Sequence, residues 1–540
     1  MKRASKRLRV FLIVAVLAGF AACAQTGSPS VRSHVLRIVS PQDFVTLNPH
    51  LYAATSLSMV SELTMAYFVR YDHRGRPYPE LLTEIPSQDN GGISADGRTI
   101  TWHLRQGVRW SDGVGFNADD VAFTVRVIKN PANNELGRDG WDLIDRVETR
   151  GAYTIIFHLQ KPYATFLPTF FGSAGANPCI LPRHLLWRLH DINKAAYNSL
   201  PVGIGPFRYM RWQRGEGVWM ESNPFYFRGR PPITRIEFHT VPDEATALAQ
   251  MQSGAADLWP LVRPGFYPRA RALPNSVTQI IPGSYFSHVD FNVAHAPLDD
   301  VKVRAALRLG LDRVRLREVV RHNTGSLQDG YAAPGSIGYD ASIPFVAYKP
   351  QAANALLDQG HWVRGSDGIR VRAGRRLSFD VAVGAANPDS QTFIDEIRRM
   401  WGLLGVELHV QAYPPSTFFD TVEHGGILAS GRYDVSEFAW QGDVMGDLST
   451  LYGCQAVPPK GQNYLHYCNP KVDALYQRMS ATYDNSQRKP LLAQVQRLLV
   501  SDVPTIILEM NDDIYVATSR LHNFHPNAYS PFDDMMDVDL

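Results

Sequence analysis

The sequence predicts an α/β protein of two or three domains, on three observations. Residues 377–383 alternate and are rich in Val and Phe. Phe393, Ile394, Ile397, Met400, Trp401 and Leu404 follow at helical spacing, and Val406, Leu408 and Val410 then alternate again. A strand that returns beside its predecessor through a helix makes a parallel pair, so this part of the chain is α/β. Second, 540 residues are more than one hydrophobic core usually serves. Third, a content of 45% hydrophobic and 20% charged residues is that of a folded globular chain, with disorder expected only at the ends.

The remaining elements follow in chain order. Lys2, Arg3, Lys6, Arg7 and Arg9 precede an apolar run over 10–22 that ends in small residues. The run is too short to span a bilayer, so residues 1–24 read as a secretory signal. Two processing readings are open. Ala22-Cys23-Ala24 offers cleavage after Ala24. Phe20-Ala21-Ala22-Cys23 resembles a lipobox, in which Cys23 becomes the lipidated first residue. Loss of residues 1–22 turns the formal charge of +2 into 49 basic against 52 acidic residues. A mildly acidic mature chain does not suggest a nucleic-acid partner. No later segment is apolar enough to cross a membrane, so the rest is expected to be exported, and periplasmic or at the cell surface.

Residues 35–39 and 99–104 alternate as strands, the second after an Asp96-Gly97 turn. Asn117 caps a helix with Val121, Val125 and Ile128 on one side. Residues 300–311 form another, with Val303, Ala306, Leu307 and Leu311 inward and its arginines outward. Asn387-Pro388-Asp389-Ser390 opens the helix of the βαβ unit, and Gly405 ends it. Export permits disulfides. If Cys23 is lipidated, Cys454 and Cys468 are the natural pair, flanking a polar loop with Pro458, Pro459 and Gly461. Cys179 is then a buried free thiol. The alternative is that all cysteines stay reduced.

Enzyme signatures are missing. There is no G-x-S-x-G, H-E-x-x-H, P-loop or G-x-G-x-x-G. His522 and His525 form an isolated pair, and Asp119 and Asp120 are adjacent rather than convergent. No catalytic residue, metal site or cofactor is assigned.

Several segments together resemble one family. They are Asp96-Gly97-Arg98-Thr99, Leu104-Arg105-Gln106-Gly107-Val108-Arg109-Trp110-Ser111-Asp112-Gly113 and Ala118-Asp119-Asp120-Val121. Val202-Gly203-Ile204-Gly205-Pro206-Phe207, Phe291-Asn292, Val303-Arg304-Ala305-Ala306-Leu307 and Leu311-Asp312-Arg313 complete the set. In this order they are similar to the extracytoplasmic solute-binding proteins of family 5, the dipeptide-, oligopeptide- and nickel-binding components of ABC importers. Trp110, Gly203 and Gly205 themselves read as core and turn residues, the glycines supplying backbone angles closed to other residues.

The resemblance implies a periplasmic-binding-protein fold of the second type with an extra domain. Lobe I would comprise 34–72, 201–290 and 509–540. The extra domain would be 73–200 and lobe II 291–508, with hinge strands near 288–292 and 506–510. It also implies a monomer that takes a peptide and docks on a permease with its ATPase. Trp440-Gln441-Gly442-Asp443 resembles the family's W-x-G-D loop, so Asp443 would hold the peptide's α-ammonium group. Trp440 would wall the pocket, and Gln441 and Gly442 would offer backbone groups. Asp447 would order the loop, and a facing surface is expected near 48–56. From its residues alone, Asp443 reads rather as a turn cap, since Gly-Asp-x-x-Gly-Asp is also turn chemistry.

Dipeptide-specific members carry a carboxylate-binding arginine where this chain has Gly384. That favours oligopeptides over strict dipeptides, whereas the Cys454–Cys468 pair resembles the dipeptide branch. A non-peptide solute (a nickel complex, an opine, or an oligosaccharide stacked on Trp259, Trp362 or Trp440) is the alternative.

Overall fold

The computed structural model describes residues 34–540, except 53, 73–75, 136–137, 139, 174–177, 335, 386–387 and 534. The predicted secretory signal, Cys23 and Asn387 of the predicted cap therefore lie outside the described residues.

One large sheet organises the chain. Its strands are β1 (Val35–Ser40), β2 (Phe207–Gln213), β3 (Gly217–Ser222), β4 (Arg235–Thr240), β5 (Leu258–Trp259), β6 (Ser276–Phe291), β7 (Ser378–Gly384), β8 (Glu407–Tyr413), β9 (Val435–Gln441) and β10 (Thr505–Thr518). They lie in the order β8-β7-β9-β6-β10-β5-β1-β4-β3-β2. The predicted βαβ unit is present: β7 and β8 pair in parallel, with Val381 opposite Val410. The helix Pro388–Leu404 joins them. It buries Phe393, Ile394, Ile397, Met400, Trp401 and Leu404. Gly405 follows at φ +83°, a left-handed conformation that suits glycine at a helix end.

The two lobes meet in the middle of this sheet. β6 and β10 are antiparallel neighbours, with His288 opposite Ile507 and Val289 opposite Ile506. The two predicted hinge segments are thus adjacent central strands. On one side β7–β9 belong to a core built from residues 289–508. On the other, β1–β5 enclose a core with Leu36, Phe207, Ile236 and Tyr515. A third core lies over residues 66–204 and is rich in aromatic contacts, among them Trp102 with Phe68 and Phe157. Its sheet pairs Thr99–His103 and Ile144–Thr149 with Thr154–Leu159.

Local chemistry accounts for the ends of these elements. Asn117 accepts the Asp119 amide at 2.8 Å, and Asp120 accepts the Asn117 amide at 3.1 Å, a reciprocal cap for the helix Ala118–Lys129. Cys454 and Cys468 form a disulfide and Cys179 is a buried free thiol.

Three expectations change. The arginines of the helix Val301–Leu309 do not all face outward. Arg304 is buried and donates to the carbonyls of Leu298 and Val503, and Arg308 donates to that of Val500. Both guanidinium groups serve carbonyls at the end of the helix Asn485–Asp502, which the helix itself leaves without donors. Gly203 and Gly205 are not in left-handed conformations. Gly203 is required for close approach, because a Cβ there would sit 2.0 Å from the Thr64 carbonyl oxygen. Trp259 and Trp362 are buried and present no face for stacking.

Candidate ligand-binding cleft

The strand β9 ends at Gln441, and the chain then turns sharply at Asp443. The Oδ1 atom of Asp443 accepts the amides of Met445 at 2.7 Å and Asp447 at 3.2 Å. The turn reading of this carboxylate is therefore correct. It accounts for one oxygen only, and among the described residues no hydrogen bond or ion pair reaches Oδ2. Asp447 orders the loop as expected, its carboxylate accepting the Ser449 amide at 3.0 Å.

Asp443, Trp440, Gln441 and Gly442 all line a chamber of about 490 Å³, closed on the other side by Asp142, Lys161, Tyr163 and Thr169. A second chamber, of about 680 Å³, adjoins it at Val444 and Tyr529, which line both. Its walls come from every part of the fold: Tyr71, Ile85, Phe166, Ile281, Ile337 and Tyr483 among them. Most of these residues were not legible as site residues, because only the folded chain brings such distant segments together.

The electrostatics of Asp443 follow from its position. Desolvation in the cleft pushes its carboxyl up to about 6, and the Asp447 charge adds to this. The two turn amides and the buried Arg488 guanidinium pull the other way. The Asp443 charge in turn raises the phenols of Tyr71 and Tyr529, after the larger effect of burial.

The other predicted site residues differ in what they can offer. Trp440 lines the chamber and also packs edge-on against Phe438 and Tyr464. The Gln441 side chain donates to the Ser284 hydroxyl at 3.2 Å, and the Gly442 amide to the Ser284 carbonyl at 2.7 Å. The Gly442 N–H is therefore already used. Among the described residues of 48–56, where a facing surface is expected, none lines either chamber. Asn48 bonds Asn198, His50 bonds Glu135 and the Cys179 carbonyl, and Ser56 bonds Ser40, all in buried contacts. Gly384 ends β7, and a side chain added there would meet open space.

Comparison with known proteins agrees with this architecture. The chain is 24% identical over 559 residues to the oligopeptide-binding protein AppA of Bacillus subtilis, covering 100% of this chain and 99% of that relative. It is 25% identical over 526 residues to the dipeptide-binding protein of Escherichia coli, covering 91% and 92%. The crystal structure of Bacillus subtilis AppA in complex with a nonapeptide superposes with a TM-score of 0.77 at 21% identity, over 94% of this chain and 98% of that one. Residues 76–461 match the family described as bacterial extracellular solute-binding proteins, family 5 Middle. By that match the chain belongs to the family 5 bacterial extracellular solute-binding proteins.

Proposed function

We propose that the protein captures peptides in the cleft between its lobes and presents them to the permease of an ABC importer. The observation that supports this best is Oδ2 of Asp443, a carboxylate oxygen without a partner among the described residues, on the wall of the smaller chamber. A peptide carries one invariant cation, its amino terminus. A charge-assisted hydrogen bond to it in a partly dry cleft is worth about 1.5–3 kcal/mol. The relatives named for oligopeptide and dipeptide binding support the same reading.

In this reading lobe I (34–72, 201–290, 509–540) and lobe II (291–508) close about β6 and β10, with the extra domain 73–200 forming one wall. Ligand favours the closed form only through contacts it makes across both lobes. Two adjoining chambers and the glycine at position 384 suit an oligopeptide better than a dipeptide. Cys23 is the proposed lipid anchor, which holds the protein at the membrane beside its permease. The test is calorimetry with a free-amine tetrapeptide and its N-acetyl form. Acetylation is expected to cost at least tenfold in affinity, and equal binding of the two forms would refute the anchor.

A further inference from the structure

The larger chamber has a chemical bias of its own. Among the described residues its lining includes no lysine, arginine or histidine, and its formal charges there are the acids Asp89 and Asp484. Around them stand apolar groups such as Ile85, Phe166 and Ile337, together with uncharged polar ones such as Gln88, Ser336 and Asn485. Among the described residues the smaller chamber holds three acids, Asp142, Asp443 and Asp447, against one base, Lys161. A ligand carboxylate placed in the larger chamber would therefore lose water and gain no cation from the described residues, which is a penalty against it.

Tyr71 supplies an independent observation at the same place. It is 2% exposed, and its hydroxyl is buried without a hydrogen-bond partner among the described residues. Buried hydroxyls are nearly always bonded, so an orphan one on a residue that lines a cavity calls for a partner. Its placement is firm. The Tyr71 carbonyl accepts the Asn527 side-chain amide at 3.2 Å, and its ring packs on Tyr529, with ring centres 6.5 Å apart. Tyr71 lines the larger chamber, and it is near enough to Asp443 to feel that charge.

We infer that the larger chamber receives uncharged, apolar residues of a peptide whose amino terminus sits on Asp443. The Tyr71 hydroxyl bonds the peptide as it enters, and the carboxyl terminus is left unclamped. This rests on the peptide reading above and narrows it to a class of substrate. The chamber selects by desolvation: apolar side chains gain from burial there, while glutamate or aspartate side chains are rejected. The hydroxyl adds one directional bond to the peptide main chain, which every sequence shares.

The experiment is calorimetry of the mature protein with four probes: Ala-Leu-Phe-Leu, its C-terminal amide, its N-acetyl form, and Ala-Glu-Glu-Glu. The glutamate peptide is expected to bind at least tenfold more weakly than Ala-Leu-Phe-Leu, and the amide within threefold of it. Tyr71→Phe removes only a hydroxyl without a protein partner. It should weaken Ala-Leu-Phe-Leu by threefold to tenfold while leaving the melting temperature unchanged or raised. Equal binding of the glutamate peptide, a tenfold loss on amidation, or unchanged affinity in Tyr71→Phe would each overturn the inference. If those failures occur while N-acetylation still costs tenfold, the peptide reading stands and this inference alone falls. If N-acetylation costs nothing, or none of the four probes binds, the peptide reading fails first.

Discussion

The hydroxyl of Tyr483 donates a 2.7 Å hydrogen bond to the carbonyl oxygen of Gly97 and accepts one of 3.0 Å from the Tyr163 amide. Tyr483 comes from the segment 291–508, and its two partners from 73–200. The side chain lines the larger chamber and packs against the aromatic core beside it. These bonds tie the two segments together beside the larger chamber, where a latch on the cleft would sit. Tyr483→Phe loses both bonds and keeps the ring. One such bond is worth about 0.5–1.5 kcal/mol net, so ligand affinity should fall by up to about tenfold, mainly through faster release. Stopped-flow dissociation of a fluorescent peptide checks this, and an unchanged release rate would refute the latch.

Asp443→Ala should weaken a free-amine peptide by at least tenfold, measured by calorimetry. An affinity within twofold of the wild type would remove Asp443 from the site.

The pH dependence of binding carries a sign. The unliganded Asp443 carboxyl is pushed up to about 6, and an ammonium ligand requires the ionised form. Affinity should therefore fall as pH drops below about 6, approaching tenfold per pH unit. It should also decline above about pH 8, where the peptide amine loses its proton. Asp443→Asn should abolish the acid limb, and a profile flat between pH 7 and 5 in the wild type would contradict the assignment.

Glu437 offers a stability test. It is buried on β9, and desolvation pushes its carboxyl up to about 7, against the smaller opposing effects of Ser390, Arg321 and His288. A carboxyl whose folded value lies above its unfolded one stabilises less as pH rises between the two. The wild type should thus lose stability from about pH 4.5 to 7, and Glu437→Gln should lose that share of the slope, up to about 3 kcal/mol. Urea midpoints at pH 5 and pH 8 decide this. A slope unchanged by the substitution would show that the group does not titrate there.

The Cys454–Cys468 bond closes a loop across a sequence separation of 14, and Asn463 holds that loop by bonding the carbonyls of Gly453 and Tyr467. Reduction should cost about 3 kcal/mol in the loop-entropy picture. Denaturation with and without a thiol reductant measures it, with no difference being the contrary result.

What was legible in the sequence was what local pattern specifies. The apolar spacing over Phe393–Leu404, the alternation before and after it, and Asn117 as a cap are short-range signals, and each element formed where it was expected. Arg304 misled because a charge within an amphipathic pattern reads as solvent-facing. Its true partners are carbonyls at the end of a helix far along the chain, which no local pattern displays. The same reason separates Asp443 from Tyr71. Asp443 stands in a recognisable W-x-G-D string, whereas Tyr71 gains its place only through a long-range encounter with residues 443 and 529.

The place of β10 in the sheet bears on how the molecule is made. Within the sheet it lies between β5 and β6, pairing Leu258 with Ala517 on one side and His288 with Ile507 on the other. A partly synthesised chain without residues 505–518 therefore carries two bare strand edges, each a template for another molecule. Such long-range closure is slow. A nascent chain of this protein has reason to remain unfolded, under chaperone protection, until that strand arrives.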